Sequence, residues 1–384
     1  MDVTIQPRTL RGEIQIIPSK SQAHRLLICA AFADRDTTLI CPETNRDIEA
    51  TADCLQALGA NVTRTESGYT VSPIKSIPGS ATLNCCESGS TLRFLLPIAG
   101  ALGVDATFLM EGRLPQRPLS PLWEEMERMG CILSRPAIST IRCQGKLKPG
   151  EYIIDGGVSS QFITGLLFAT ALMEGKSHIT ITGNLESKPY VDMTRQALSL
   201  FGAPKFRSPG TITVEGDWSN GAFFLGANAL GSQLNIRGLN LDSMQGDKAV
   251  VKILEQLSKG MHTISARDIP DLVPILAIAA GAKHGAVFTD IQRLRLKESD
   301  RVASTIAMIE DLGGKADATE DTLKVFGTGF LGGTVNSCND HRIAMAAAIA
   351  STVCAKPVTI LGADAVNKSY PAFWQEFTRL GGIL

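Results

Sequence analysis

Two kinds of predicted helix alternate along this sequence. The first kind is amphipathic and ends in an apolar residue followed by glycine, which commonly terminates helices because it tolerates a left-handed backbone. Stretches typical of β-strands follow most of these helix ends, as at Thr211 to Val214. The six predicted ends are Leu58-Gly59, Met129-Gly130, Phe201-Gly202, Leu257 to Gly260, Leu312-Gly313 and Leu380-Gly381.

The second kind of predicted helix is apolar on all sides and rich in small residues. The segment from Phe162 to Ala171 is an example. A helix that is apolar all round is buried, so these helices should form the centre of the fold. Each opens with polar residues, and the six predicted openings begin at Ser21, Ser88, Ser159, Trp218, Pro270 and Asn339.

Two interleaved sixfold series divide the chain into repeats of about 64 residues, each with two helices and several strands. Repeats of this kind cannot bury their apolar faces alone and must stack on one another. We therefore predict an α/β fold with two domains of three repeats each. Its helices lie inside and its sheets outside, which differs from a doubly wound parallel sheet.

Composition excludes several classes of function. The 384 residues carry 37 Lys+Arg and 38 Asp+Glu, a net charge of −1, so no overall basic field favours nucleic acid. The nine cysteines form no C-x-x-C pair and indicate free thiols in a reducing compartment. No secretory leader and no apolar run of membrane-spanning length are recognisable. We expect a cytoplasmic protein with neither nucleic-acid nor membrane partners.

Arginines occupy positions that a helix does not favour. A helix N-terminus carries about half a positive charge, so a cation there costs roughly 0.3–1 kcal/mol. Nevertheless three arginines fall near the starts of predicted buried helices, at Arg25, Arg93 and Arg342. Arg301 likewise lies near the start of the helix predicted after Lys297. A bound anion would turn this arrangement into a favourable one. The pattern therefore predicts a ligand with phosphate or carboxylate groups.

Each motif also has an ordinary structural interpretation. The cations can belong to solvated faces, and a continuous helix through Arg293 and Lys297 would simply stack like charges. Asp271 can be a helix N-cap, where burial would raise its pKa and the helix dipole would lower it. Glu298 can be an ordinary surface acid. Asp271, Glu298 and Lys20 are nevertheless the candidates for acid–base chemistry, with His341 behind them.

Taken together, the motifs resemble the 5-enolpyruvylshikimate-3-phosphate synthase family of enolpyruvyl transferases. The resemblance implies a two-domain inside-out α/β barrel with three βαβαββ repeats and buried helices in each domain. It places the domains at residues 1–16 with 217–384 and at 17–216, with the active site in the cleft between them. The motifs that carry it are Ser19-Lys20-Ser21, Arg25, Gly89 to Arg93, Arg117-Pro118, Ser159 to Phe162, Ser187 to Tyr190, Lys297 to Arg301 and Asn339 to Arg342.

The resemblance implies transfer of the enolpyruvyl group of phosphoenolpyruvate to the 5-hydroxyl of shikimate 3-phosphate, with release of phosphate, in chorismate and aromatic amino-acid biosynthesis. Asp271 would take the hydroxyl proton, and Glu298 with Lys20 would protonate the methylene group. No metal or organic cofactor is implied. Shikimate 3-phosphate would be held by Lys20, Ser21, Arg25, Ser159, Ser160, Ser187, Asp271 and Lys297. Phosphoenolpyruvate would be held by Lys20, Gly89, Arg93, Arg117, Gln161, Arg301, Arg342 and Lys368.

Two positions depart from the family pattern. Glu87 stands where an asparagine is common, and Arg293 occupies a second position that is often asparagine. The alternatives are a UDP-N-acetylglucosamine enolpyruvyl transferase, whose characteristic loop cysteine is missing between residues 112 and 121, and a non-catalytic repeat scaffold that binds anions. We expect a monomer whose partners are the two small-molecule substrates.

Overall fold

A computed structural model describes residues 1–384 of the chain. The polypeptide folds into two compact units. The first unit combines Met1–Ile17 with Gly216–Leu384, and the second is Pro18–Glu215. The chain passes between the units after Ile17 and after Glu215. Each of these positions is one residue away from the domain boundary expected above.

Each unit alternates helices with strands. The helices are α1 Lys20–Ala31, α2 Arg46–Ala57, α3 Gly89–Leu102, α4 Leu122–Arg128, α5 Ser160–Leu172, α6 Lys188–Leu200, α7 Trp218–Ala229, α8 Val250–Lys259, α9 Val273–Gly281, α10 Arg301–Asp311, α11 His341–Ala350 and α12 Phe373–Arg379. The strands of the first unit are β1 Val3–Ile5, β2 Arg11–Gln15, β13 Gln233–Arg237, β14 His262–Ser265, β15 Ala286–Thr289, β16 Lys315–Ala318, β17 Thr322–Phe326, β18 Gly333–Asn336 and β19 Val358–Leu361. Those of the second unit are β3 Thr37–Ile40, β4 Asn61–Thr65, β5 Gly68–Ser72, β6 Ser80–Asn84, β7 Asp105–Leu109, β8 Cys131–Ala137, β9 Thr140–Gly145, β10 Glu151–Asp155, β11 His178–Thr182 and β12 Thr211–Thr213.

The six predicted apolar helices are confirmed as α1, α3, α5, α7, α9 and α11. They are largely or wholly buried, and every residue of α9 is buried. Polar side chains accept hydrogen bonds from the first turns of five of them, as Ser88 does for α3 and Asp217 for α7. Such caps satisfy backbone N–H groups that would otherwise lack partners in a buried setting.

The amphipathic series is confirmed as the six even-numbered helices. The last turn of each lies at the predicted apolar–glycine pair, and Gly59 after α2 has a φ of +105°. Only glycine adopts this backbone conformation without strain. The helix ends and the buried series together establish the predicted mixed α/β architecture.

The strands form six separate small sheets instead of one continuous barrel wall. Three sheets have four strands, as in the order β6-β7-β9-β8, where β6 and β7 are parallel and the hairpin β8–β9 adds antiparallel strands. One sheet has three strands. The pairs β10-β11 and β2-β13 have only two, because no hairpin follows α6 or α8. The βαβαββ repeat is therefore shortened by a whole hairpin once in each unit, and the three-stranded sheet of the first unit has one strand fewer than the full pattern.

Each unit has its own hydrophobic core, and the apolar helices supply much of it. No helix combines the length and the apolar character needed to cross a membrane.

Helices α3 and α5 pack so closely that their contact depends on one glycine. A Cβ atom added at Gly165 of α5 would lie 2.2 Å from the carbonyl oxygen of Arg93 on α3. No side chain can occupy that space unless the helices move apart. The same contact fixes the position of Arg93 relative to α5.

Gly165→Ala should therefore destabilise the protein by about 1–3 kcal/mol, the usual cost of overpacking a core. Urea unfolding followed by circular dichroism measures this change. Gly79→Ala is the matched control, because no atom lies within 4 Å of the added methyl group there. Equal stability of the two variants would contradict the tight helix contact.

Candidate active site

In the second unit, Arg25 joins the starts of three helices. Its side chain is 2 % exposed, and its Nε donates to Thr194 Oγ1 of α6 at 2.9 Å. One guanidinium nitrogen donates to the Tyr190 carbonyl at 2.9 Å and another to the Ser21 carbonyl at 2.6 Å. Burial lowers the pKa of Arg25 to about 10, so the group is still charged at neutral pH. Because all of these acceptors are neutral, they do not compensate the positive charge of Arg25.

A second cationic cluster lies where α3 begins. A Cβ atom placed on Gly89 would lie 2.8 Å from a guanidinium nitrogen of Arg117 and 2.9 Å from one of Arg93. Arg93 also donates to Gln161 Oε1 at 2.8 Å, and Gln161 in turn donates to Ser90 Oγ at 3.0 Å. Two guanidinium groups thus converge at the start of a helix, an arrangement that suits an anion.

The remaining predicted residues of the second unit lie at the same helix starts. Lys20 is the first residue of α1, and its Nζ lies 2.9 Å from Asp47 Oδ2. Ser159 caps α5 by accepting from the Gln161 N–H, and Ser160 is the first residue of that helix. Ser187 precedes α6 in a left-handed conformation with a φ of +54°, and its side chain does not cap the helix.

In the first unit, carboxylates surround Arg301. This side chain is fully buried, at 0 % exposure. Its Nε lies 3.0 Å from Asp340 Oδ2, and its two terminal nitrogens lie 2.7 Å from Asp271 Oδ1 and 2.6 Å from Glu298 Oε2. The three acids raise the pKa of Arg301 against the effect of burial. The cation predicted here therefore has internal counter-charges, unlike Arg25.

The interpretation of Asp271 as a helix N-cap is wrong. Helix α9 begins at Val273 and its N-cap position is Leu272. The Asp271 carboxylate instead contacts three cations, with Arg342 at 3.0 Å and Lys297 at 3.6 Å in addition to Arg301. Burial would raise the pKa of Asp271, but these cations hold it well below its ordinary value. The helix dipole is not needed to explain an ionised carboxylate.

A continuous helix through Arg293, Lys297 and Arg301 does not form. A 3-10 turn spans Gln292–Leu296, and α10 starts only at Arg301. The break turns Lys297 toward Asp271 instead of stacking three like charges on one face. Burial lowers the pKa of Lys297 to about 8, and Asp271 opposes this shift.

Three further residues complete the cluster in the first unit. Lys368 Nζ donates to the Asn339 carbonyl at 3.0 Å, just before α11, and His341 is the buried first residue of that helix. Asp247 is buried, and burial together with neighbouring Asp271 raises its pKa to about 7. The predicted cations and acids of this unit therefore lie around the starts of α9, α10 and α11.

Sequence reasoning missed two of the carboxylates that balance the cations, Asp340 and Asp47. Asp340 accepts from Arg301, from Ser299 Oγ at 3.1 Å and from the Arg342 N–H at 3.0 Å. Asp340 lies inside the motif Asn339 to Arg342, and this position in the sequence could have indicated its role. Asp47 lies 27 residues from Lys20, and no local pattern connects the two.

Chemically, each unit offers a surface on which helix N-termini and basic side chains meet. The second unit adds hydroxyl and amide groups, and the first adds carboxylates beside a lysine of lowered pKa. Such surfaces can bind polyanions, stabilise developing negative charge and exchange protons.

Comparison with solved structures identifies the architecture. EPSP synthase from Acinetobacter baumannii matches with a TM-score of 0.79 and 23 % identity, over 99 % of this chain and 98 % of the other. The enolpyruvyl transferase NikO from Streptomyces tendae matches with a TM-score of 0.74 and 15 % identity, over 99 % and 97 %. The fold is therefore that of the enolpyruvyl transferases.

Sequence comparison narrows the assignment. A 3-phosphoshikimate 1-carboxyvinyltransferase of Clostridium kluyveri is 38 % identical over 420 positions, covering 99 % of this chain and 97 % of the relative. The enzyme of the same name from Clostridium beijerinckii is 37 % identical over 425 positions, covering 100 % and 98 %. The model of the EPSP synthase (3-phosphoshikimate 1-carboxyvinyltransferase) family matches residues 5–377. The chain belongs to this family.

Removing Asp340 should destabilise the first unit strongly. Asp340→Ala leaves the buried Arg301 without its fully buried counter-charge, and breaking such a pair costs about 3–5 kcal/mol. Denaturant unfolding followed by tryptophan fluorescence reports this, because Trp218 and Trp374 belong to the first unit.

The matched control is Glu255→Ala, which breaks the exposed pair between Glu255 and Lys259. Exposed pairs contribute only about 0–1 kcal/mol. If both variants lose the same small amount of stability, Asp340 does not hold Arg301 in the way described.

Proposed function

We propose that this chain transfers the enolpyruvyl group of phosphoenolpyruvate to the 5-hydroxyl of shikimate 3-phosphate and releases phosphate. Membership of the EPSP synthase family over residues 5–377 supports this reaction. The observation that carries it to individual residues is that the motif side chains gather at helix starts in each unit. Both substrates are polyanions, which such arrangements suit. We propose that the motif residues of both units act on the same pair of substrates.

Shikimate 3-phosphate is assigned chiefly to residues of the second unit. Arg25 supplies a charge whose hydrogen-bond acceptors are neutral, so a phosphate group adds the missing counter-charge. The first unit would add Lys297 and Asp271 toward the reacting hydroxyl. The hydroxyl and ammonium ligands assigned in the second unit are Lys20, Ser21, Ser159, Ser160 and Ser187.

Phosphoenolpyruvate is assigned to the converging guanidinium groups over Gly89 and to cations of the first unit. Arg93, Arg117 and Gln161 form the arrangement at the start of α3. Arg301, Arg342 and Lys368 are the assigned contacts in the first unit. Since Arg301 already pairs with three carboxylates, its attraction for the substrate is weaker than that of an uncompensated arginine.

The proton transfers are assigned to Asp271, Glu298 and Lys20. Asp271 accepts the proton of the 5-hydroxyl of shikimate 3-phosphate, while the oxygen of that hydroxyl bonds to C2 of phosphoenolpyruvate. A proton is added at C3 through Glu298 and Lys20, which gives a tetrahedral adduct. Loss of a C3 proton to the same groups then expels phosphate. The fixed cations stabilise the adduct electrostatically, which is commonly the largest catalytic contribution. The mechanism uses no metal or organic cofactor.

The reaction is tested by measuring phosphate release from phosphoenolpyruvate with purified protein. We expect release with shikimate 3-phosphate and none with UDP-N-acetylglucosamine. Phosphate release with UDP-N-acetylglucosamine but not with shikimate 3-phosphate would show that the UDP-sugar is the acceptor. Binding of both substrates without turnover would instead favour a non-catalytic anion-binding protein.

Asp271→Asn should lower turnover by about 10²–10⁴-fold, the usual contribution of a general base, while shikimate 3-phosphate still binds. Asparagine keeps the size of the side chain and removes the basic oxygen. Steady-state kinetics and calorimetric titration separate the two effects. Asp317→Asn on the exposed face of β16 is the control. A variant that keeps turnover within about tenfold of wild type would show that another group is the base.

A further inference from the structure

A chain of buried polar side chains connects three helices of the second unit. His24 Nδ1 of α1 lies 2.7 Å from Thr51 Oγ1 of α2, and Thr51 Oγ1 lies 2.7 Å from Thr91 Oγ1 of α3. Thr91 in turn donates to the Ser88 hydroxyl at 2.7 Å. All four side chains are buried. The substrate contacts and proton transfers assigned above use none of them.

The hydrogens of this chain run in one direction. The Thr91 hydroxyl has a single hydrogen, and its acceptors are Ser88 Oγ at 2.7 Å and the Asp47 carbonyl at 3.4 Å. Because Thr91 has no second hydrogen, Thr51 must donate to Thr91. By the same count, His24 must donate from Nδ1 to Thr51. The hydrogen of the imidazole therefore lies on Nδ1, and Nε2 is a bare acceptor that makes no hydrogen bond.

The surroundings of His24 agree with this tautomer. Burial lowers the pKa of His24 well below its ordinary value, and the cations Lys20 and Arg25 on the same helix add to the effect. A hydrogen on Nε2 would place a donor in a buried position where it has no acceptor, which is costly. The tautomer with hydrogen on Nδ1 satisfies the donors of His24, Thr51 and Thr91. A buried network that is satisfied in this way rigidifies the elements that carry it.

Thr91 is the residue through which this chain reaches the candidate active site. Its hydroxyl lies 3.4 Å from the carbonyl of Asp47 in the first turn of α2, and the Asp47 carboxylate lies 2.9 Å from the Lys20 ammonium group. Thr91 also donates its backbone N–H, at 3.2 Å, to the Oγ of Ser88, which caps α3. Gly89, where two guanidinium groups converge, follows Ser88 directly. Thr91 thus lies between the Lys20–Asp47 pair and the start of α3.

We propose that Thr91 is a positioning residue, which holds Lys20 in place relative to the start of α3. Its side chain is fully buried and does not contact a substrate itself. Lys20 is assigned to both substrates and to the proton transfers, and Arg93 of α3 is assigned to phosphoenolpyruvate. A shift between them would misalign the reacting groups, and a misplacement of about 1 Å can lower a rate about 100-fold. This inference rests on the proposed function, whereas the hydroxyl chain does not.

Thr91→Val tests the proposal, because valine has nearly the shape of threonine and lacks the hydroxyl. We expect kcat/KM for phosphoenolpyruvate to fall about 10–100-fold. Thr91→Ser keeps the hydroxyl and should restore most of the loss. Thr170→Val is the matched control, because the Thr170 hydroxyl donates to the Leu167 carbonyl within its own helix. It should leave kcat/KM unchanged, and circular dichroism would show that each variant is folded.

A double variant separates positioning from a loss of stability. If Thr91 acts through Lys20, Thr91→Val should weaken the binding of shikimate 3-phosphate in the wild type but add little once Lys20→Met has removed the ammonium group. Calorimetric titration of the wild type, the two single variants and the double variant measures this coupling. Losses of affinity that simply add would overturn the proposal, as would an unchanged kcat/KM in folded Thr91→Val.

The direction of the hydrogen-bond chain can be tested on the wild-type protein without any substrate. Nitrogen-15 NMR of the five histidines, with the His24 signals assigned from a His24→Gln variant, should show hydrogen on Nδ1 and none on Nε2. Hydrogen on Nε2 would turn the Thr91 hydroxyl toward Thr51 and away from Asp47, and would overturn the proposal. Failure of the wild type to bind or turn over shikimate 3-phosphate, with His24 as expected, would count against the proposed function instead.

Discussion

The structure depends on burying guanidinium groups at the positive ends of helices. A cation and a helix N-terminus repel each other, and removal from water increases the cost. The two units meet this constraint in different ways. Around Arg25 the acceptors are hydroxyl and carbonyl oxygens, which orient the guanidinium without cancelling its charge. Around Arg301 three carboxylates cancel the charge. The second unit therefore attracts an anion more strongly, and the first unit provides groups that accept protons.

Asp340 shows how closely fold and site are connected. The same carboxylate caps α11, fixes Ser299 and holds Arg301. Asp271 is held by cations from three separate segments of the chain, so its position follows from the packing of α9, α10 and α11. The position of the proposed base is therefore tied to the positions of those helix starts.

Much of the fold was predictable, because a helix that is buried all round must be apolar all round and helix ends favour glycine. All six buried helices and all six amphipathic helix ends could be identified from these two rules. The position of Asp271 could not, since its partners Arg301 and Arg342 are 30 and 71 residues away. Local pattern suggested an N-cap, but tertiary ion pairing determined the conformation. The average repeat length of about 64 residues also concealed the two shortened repeats.

The shortened repeats show which parts of the fold are dispensable. Each repeat buries its helices at the centre and adds its hairpin at the periphery, so a hairpin can be lost without opening the core. At the glycines where these connections begin, Gly202 and Gly260, no atom lies within 4 Å of an added Cβ. Short exposed connections of this kind tolerate added residues. The shortened connection at Gly260 is thus a natural insertion point for a label or affinity tag.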